Sequence, residues 1–371
     1  MDDAIVIGAG PAGLAAAAML LAKGLRVRVI ERAATVGERW RGHYDRLHLH
    51  TTRRLSGLPG LAIPRACGRW VSRDDYARYQ EQYAAHHAIA VELGTAVERV
   101  ERAGNAWRAI TSAGAIEARC AIVATGFNNA PVVPTWPGAF AGELVHSKRY
   151  RNGGPYRGKR VLVVGTGNSG AEIAADLAEH GAEVVWSVRT PPTILPRSVL
   201  GIATQVLGVV LRPLPPSIVD RIGAAVARLA IGNLAAYGLP RAPRGLYSAM
   251  LEDDAIPILD VGLVDALRRG AVRPVAAVAE LEGSDVVLAD GSRVTPDAVI
   301  ACTGFRTALE PIVGHLGVLD ARGTPLVDGP RDHASAPNLF FVGYTNVISG
   351  NLREIGVHAR GLARVIAQRA Q

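Results

Sequence analysis

The sequence predicts an α/β fold built on two strand–turn–helix units, and three observations carry that prediction. "AIVIGAGPAGLAAA" and "VLVVGTGNSGAEIA" each place a GxGxxG turn between an apolar run and an Ala-rich one. The glycines of the first turn (Gly8, Gly10, Gly13) and of the second (Gly165, Gly167, Gly170) are offset by 157 residues, 165 minus 8. A glycine closes each Ala-rich stretch at that same offset, Gly24 and Gly181. A repeat held in register over strand, turn and helix says far more than one glycine motif alone.

The elements follow in order. The runs "AIVI" and "VLVV" read as buried parallel strands. In the turn that follows, the first glycine permits the sharp bend, the second lets backbone approach a pyrophosphate, and the third lets helix pack on strand. The helix then presents free N–H groups and the positive end of its dipole to an anion. Pro11 and Ala12 complete the first turn, Asn168 and Ser169 the second. The two units are therefore expected to be Rossmann-like dinucleotide-binding domains.

The next strand separates the two ligands. "LRVRVIER" ends at Glu31, followed by Arg32. An acid there hydrogen-bonds ribose hydroxyls and repels a 2′-phosphate, so the first site suits FAD or NAD(H). The register partner of Glu31 is Val188, followed by Arg189 and Thr190, and that pair suits NADP(H). Two later runs, "CAIVATGF" and "DAVIACTGF", close on Thr125–Gly126 and Thr303–Gly304 and fit strands that turn back towards a dinucleotide.

A chain of 371 residues exceeds what one core usually organises, so two domains are expected. The expected division is an FAD-binding domain over 1–154 and 306–371, with an NADPH-binding domain inserted at 155–305. The insert carries a helical excursion at about 199–250. Within it the apolar stretch 199–234 reads as helical, broken at "RPLPPS". Three roles are open to it: a roof over a substrate channel, contact with a membrane surface, or the face of a homodimer.

No apolar run reaches the roughly 20 residues of a membrane helix, and the N-terminus enters a strand pattern with no export signal. Cys67, Cys120 and Cys302 lie far apart and none forms a CxxC, which argues against a disulfide framework, a zinc site or a dithiol centre. The expectation is a cytoplasmic protein without a metal. The net charge of +8 comes from dispersed arginines, and no basic tract points to nucleic acid.

One further stretch is more specific. "FAGELVHSKRYR" supplies Phe140, Gly142, His146, Tyr150 and Arg151, the pattern FxGxxxHxxxY(K/R). With it the sequence resembles the class B flavin-dependent monooxygenases, departing from their Baeyer–Villiger branch, which has Trp where Tyr150 stands. "YDRLHLHTTRRLSGLPG", "ILPRSVLG" and "IPILDVGLVDALRRG" are similar to segments of the YUCCA-type indole-3-pyruvate monooxygenases and their bacterial relatives.

The resemblance implies that FAD, reduced by hydride from NADPH, captures O2 as a C4a-(hydro)peroxyflavin while NADP⁺ stays bound. It places Gly8, Gly10, Gly13 and Glu31 on the ADP part of FAD, Arg39 and Trp40 beside the flavin's linker, and Asn168, Ser169, Arg189 and Thr190 on the NADP phosphates. His50 stands where YUCCA enzymes also have His, and is expected to donate a hydrogen bond to flavin adduct or substrate. Arg197 is expected to meet NADP or a substrate carboxylate, as Arg favours bidentate anion contacts. The FxGxxxHxxxY(K/R) segment is expected to link the domains.

Two reactions on a small organic substrate fit this resemblance: oxidative decarboxylation of an α-keto acid, or oxygenation of a soft nitrogen or sulfur. A different class, an NADPH-dependent flavin reductase of the disulfide or ferredoxin type, shares the paired Rossmann units, but this sequence has no CxxC and that class would not explain the FxGxxxHxxxY(K/R) stretch.

Overall fold

The computed structural model describes residues 1–370 apart from Asp254 and Asn346. The chain divides into two compact units. Unit 1 comprises Met1–Gly42, Thr51–Ala130 and Phe305–Gln371, and unit 2 comprises His43–His50 and Pro131–Gly304.

Unit 1 begins with β1 (Asp2–Ile7), α1 (Pro11–Leu21) and β2 (Val27–Ile30), followed by α2 (Arg73–His86) and β3 (Val91–Glu92). An antiparallel meander of β4 (Val97–Ala103), β5 (Ala106–Thr111) and β6 (Gly114–Val123) completes its N-terminal part. The sheet runs β3-β2-β1-β6-β5-β4, with β1 parallel to both its neighbours. Strand β1 is buried over Ala4, Ile5, Val6 and Ile7, and Ile5 and Ile7 share a core cluster with Val100 and Trp107 of the meander. The short strand Leu339–Phe341 joins the upper half of β6, and helix Asn351–Ala370 packs on α1. Ser72 caps α2 by accepting the Asp75 N–H at 3.1 Å, and Tyr76, Tyr79 and Tyr83 line its buried side.

Unit 2 repeats the plan. Its sheet holds β7 (Glu143–His146), β8 (Arg160–Val164), β9 (Glu183–Ser187), β10 (Val272–Val275) and β11 (Ala298–Ala301), in the order β10-β9-β8-β11-β7, all parallel. Helix α3 (Asn168–Glu179) follows β8 as α1 follows β1. The register seen in sequence holds in space: β1 ends at Ile7 and β8 at Val164, α1 starts at Pro11 and α3 at Asn168, and β2 ends at Ile30 and β9 at Ser187, each pair 157 apart. Gly24 (φ +74°) and Gly181 (φ +84°) close the two helices in the left-handed region. A second, smaller sheet in unit 2 sets Gly138–Phe140 beside Val278–Gly283.

The predicted α/β class with two Rossmann-like units is the observed one. The division differs from the expected 1–154, 155–305 and 306–371. Residues 131–154 belong to unit 2 because strands 138–140 and 143–146 hydrogen-bond to 281–283 and 298–301. Residues 43–50 join unit 2 because Tyr44 lies in its core, the Asp45 N–H donates to Arg151 O at 2.8 Å, and Arg46 donates to Val261 O at 2.9 Å.

The FxGxxxHxxxY(K/R) stretch, expected to link the domains, therefore lies wholly within unit 2, with His146 at the end of an edge strand. The excursion is helical at Thr204–Leu211, Pro216–Ala230 and Leu246–Asp253, with the break where the prolines stand. Among the described residues no helix is long and apolar enough to cross a membrane.

Candidate functional site

Both glycine turns divide their labour as the spacing requires. In the first, Gly8 has φ +104°, and a Cβ there would lie 2.7 Å from Ala124 O. A Cβ on Gly13 would lie 1.8 Å from Gly8 O, while one on Gly10 would meet nothing within 4 Å. In the second, Gly165 has φ +122° and its Cβ would fall 2.3 Å from Cys302 O. Gly170 would place a Cβ 2.2 Å from Gly165 O, and Gly167 again faces open space. The outer glycines are thus fixed by packing, and the middle one leaves a backbone surface bare for a ligand. Pro11 opens α1, where its missing N–H costs nothing, and Ala12 is buried behind it.

Glu31 closes over the first turn. One carboxylate oxygen accepts the Ala9 N–H at 2.7 Å and the other the Ala33 N–H at 2.9 Å, so the acid is held at the end of β2. Arg32 is exposed and donates to Asn129 Oδ1 at 2.9 Å, and Asn129 in turn donates to Gly126 O at 3.0 Å. Thr125 hydrogen-bonds the Tyr344 hydroxyl at 2.9 Å, which fixes the Thr-Gly turn, and Gly126 has φ +79°. Trp40 packs edge-on against Tyr76 of α2, ring centroids 4.6 Å apart. Arg39 lies over the Phe305 ring at 5.6 Å, and its Nη2 is buried with no hydrogen-bond partner. Burial pushes its guanidinium below the usual value, with Arg32 adding to the shift. A buried N–H without an acceptor and a bare glycine turn fit a polyphosphate-bearing cofactor in unit 1.

In unit 2 no acid stands where Glu31 stands. Val188 is half-buried, and Arg189 and Thr190 are exposed beyond the end of β9. Trp186 donates to Gly165 O at 2.9 Å and braces the second turn from below. The Asn168 side chain is committed to the backbone, donating to Pro257 O at 3.1 Å and accepting the Leu259 N–H at 2.9 Å. Its amide therefore pins the loop 257–259. At the second Thr-Gly turn, Thr303 donates to Val132 O and Gly304 has φ +84°.

His146 holds that turn. Its Nδ1 accepts the Lys148 N–H at 3.1 Å and its Nε2 donates to Gly304 O at 3.0 Å, an arrangement that only the neutral ring can make. Burial lowers its pKa, with the Gly304 contact opposing the shift. A group whose pKa is lowered on folding takes up its proton more readily when unfolded. Stability tied to His146 is therefore complete above the unfolded value of about 6.5 and falls as pH drops below it. Thermal melts of His146→Gln against the parent should show a shallower acid limb between about pH 7 and 5; identical limbs would refute the assignment.

Tyr150 of the same stretch donates to Asp176 at 2.5 Å, and Asp176 also accepts the Gly153 N–H at 3.0 Å. Burial and that carboxylate push the Tyr150 hydroxyl far above its usual pKa.

His50 and Arg197 come together in unit 2. His50 Nε2 lies 2.5 Å from Glu172 Oε1, and Arg197 donates to Leu49 O at 2.6 Å. Burial pushes the Arg197 guanidinium down to about 10, with Glu172 opposing the shift, so it remains charged at neutral pH. Burial pushes the Tyr44 hydroxyl well above the ordinary value, with Glu172 adding to the shift and Ser169 opposing it. Residues 43–50 form no strand. Glu172, Asp176 and Tyr44 were not singled out from sequence. The available signal was two acids four residues apart on a helix otherwise rich in Ala, Ile and Leu, both of them buried here.

Comparison with known proteins gives the following. Residues 5–198 match the model of a family described as pyridine nucleotide-disulphide oxidoreductase. A rice protein named indole-3-pyruvate monooxygenase YUCCA1 is 38% identical over 353 residues, covering 93% of this chain and 87% of the relative. A thale cress protein named probable indole-3-pyruvate monooxygenase YUCCA9 is 33% identical, covering 93% of this chain and 85% of its own. Among solved structures, a flavin-containing monooxygenase from Stenotrophomonas maltophilia superposes with a TM-score of 0.78 at 28% identity, covering all of both chains.

Proposed function

The chain belongs to the flavin-dependent monooxygenases of the YUCCA kind, and on that premise we propose that it oxygenates an α-keto acid with NADPH and O2. The observation that carries the reading is the repeat and its single break. Two turns match element for element at an offset of 157 residues, yet the acid after β2 is replaced after β9 by Val188, Arg189 and Thr190. FAD then belongs to the turn Gly8–Gly13 and NADPH to the turn Gly165–Gly170. Bound there, the two cofactors supply the hydride and the activation of oxygen.

The protein's own residues hold and shield. Glu31 is the acceptor for ribose hydroxyls, and Arg39 offers its unpartnered Nη2 to the pyrophosphate side of the flavin nucleotide. Arg189 and Thr190 provide donors for a 2′-phosphate. Arg197 keeps a positive charge among buried residues of unit 2, where a substrate carboxylate is a fitting counter-ion. The balance of the proposed reaction is one keto acid, O2, NADPH and a proton in, and one acid shortened by one carbon, CO2, water and NADP⁺ out.

The reductase reading has no support from the cysteines. All three thiols are free, and burial pushes Cys120 up to about 11 and Cys302 up to about 12, so neither is a thiolate at neutral pH.

The test is turnover under ¹⁸O2 with NADPH and a panel of indole-3-pyruvate, phenylpyruvate, a tertiary amine and a thioether. One labelled oxygen in the acid product of a keto substrate, with CO2 released, is expected. Label in the amine or thioether product alone would favour heteroatom oxygenation. NADPH consumed in air with hydrogen peroxide as the only oxygen product across the panel would overturn the proposal.

A further inference from the structure

We propose that Glu172 is a positioning residue that fixes His50 as a hydrogen-bond acceptor through Nδ1, rather than as the donor that sequence reasoning expects. The inference rests on the monooxygenase reading only for which reaction the ring serves; the state of the ring itself is independent of it.

The argument begins with the inventory of donors and acceptors. A carboxylate accepts and does not donate, so the 2.5 Å contact between His50 Nε2 and Glu172 Oε1 places the imidazole hydrogen on Nε2. In the neutral ring Nδ1 then carries a lone pair. That atom is buried and has no hydrogen-bond partner. A buried acceptor without a donor carries a desolvation penalty, and a bound molecule that donates to it relieves that penalty. The ring is therefore set to receive a hydrogen bond, or a proton, from a bound molecule.

Glu172 is itself held. It is 3% exposed on α3, two residues beyond Gly170, so its place is set by the same glycine turn. Arg197 carries the opposing positive charge nearby and anchors to Leu49 O, the residue before His50. Glu172, placed by the nucleotide turn, thus orients one imidazole, an arrangement in which the acid sets both tautomer and ring angle, as carboxylates do for histidines in catalytic and metal sites.

The decisive measurement is ¹⁵N–¹H NMR of histidine-labelled holoenzyme near neutral pH, with His50→Gln used to assign the resonance. The expected result is hydrogen on Nε2 only, with Nδ1 unprotonated. Hydrogen on Nδ1, alone or together with Nε2, or a ring averaging between tautomers, overturns the proposal.

Glu172→Gln supplies the second arm, with Glu172→Asp as the conservative control. In Glu172→Gln the ring is expected to lose its single tautomer and the yield of oxygenated product per NADPH to fall about tenfold or more, with KM for NADPH changed less than about twofold. Glu172→Asp should recover part of both. If Glu172→Gln keeps the parent's tautomer and coupling, Glu172 does not position the ring. Should Glu172→Gln fail to fold, the parent spectrum alone decides. A parent enzyme that makes no labelled product, yet shows the Nε2–H ring, would defeat the reaction proposed above and leave the present inference standing.

Discussion

A Gly10→Ala protein is expected to fold and melt as the parent does yet to elute without flavin, whereas Gly13→Ala should lose about 3 kcal/mol or more of stability. The two glycines stand three residues apart and meet opposite constraints. Gly10 has φ −76° and ψ −176°, which any residue adopts, and a methyl on it would touch nothing within 4 Å. The methyl would instead occupy the ground where a pyrophosphate must approach the backbone. On Gly13 the added carbon would lie 1.8 Å from Gly8 O, a backbone atom that no rotamer change can move. Overpacking usually costs 1–3 kcal/mol, and a backbone collision sits at or beyond the upper end. Flavin absorbance per protein and thermal melts of the apoproteins separate the two effects. Full flavin occupancy in Gly10→Ala would refute the seat assigned to FAD.

Arg189→Ala is expected to lower kcat/KM for NADPH about 10–100-fold and to leave NADH nearly unchanged. The guanidinium stands exposed one position beyond Val188, the register partner of Glu31, and the two cofactors differ by one phosphate. Charge-assisted hydrogen bonds to such a group contribute about 1–3 kcal/mol, which sets the range. Steady-state rates with both nicotinamides decide it. An equal loss for NADPH and NADH would mean that Arg189 serves the fold or the shared part of the cofactor, and the NADP assignment would fall.

What the sequence made legible was local. A GxGxxG turn, its strand and its helix span about 20 residues, and their register repeats because each glycine answers a contact a few residues away or on the adjacent strand. The break from Glu31 to Val188 was visible for the same reason. What stayed hidden depended on residues far apart in sequence. His50 and Glu172 are separated by 122 positions, and no periodicity relates them. The passage of residues 43–50 into unit 2 rests on Tyr44 in its core and on backbone contacts to 151 and 261, invisible to a reading that keeps neighbours together. The FxGxxxHxxxY(K/R) stretch was recognisable as a pattern, but its residues proved to hold strands and helix in place. His146 pins the Thr303–Gly304 turn and Tyr150 pins Asp176 of α3.

The three-piece make-up of unit 1 has a consequence for the order in which the molecule is completed. Leu339–Phe341 pairs with Ala121–Val123, and Phe340 and Phe341 are fully buried. During synthesis the strand partners of unit 2 have all been made by Ala301, while the upper half of β6, paired with β1 on one side, still lacks its neighbour on the other. The sheet of the first unit therefore has to wait, with an apolar edge open, until nearly the whole chain has left the ribosome. The earliest-made glycine turn belongs to the last-finished sheet, so a pause or truncation late in translation strikes the N-terminal nucleotide seat first.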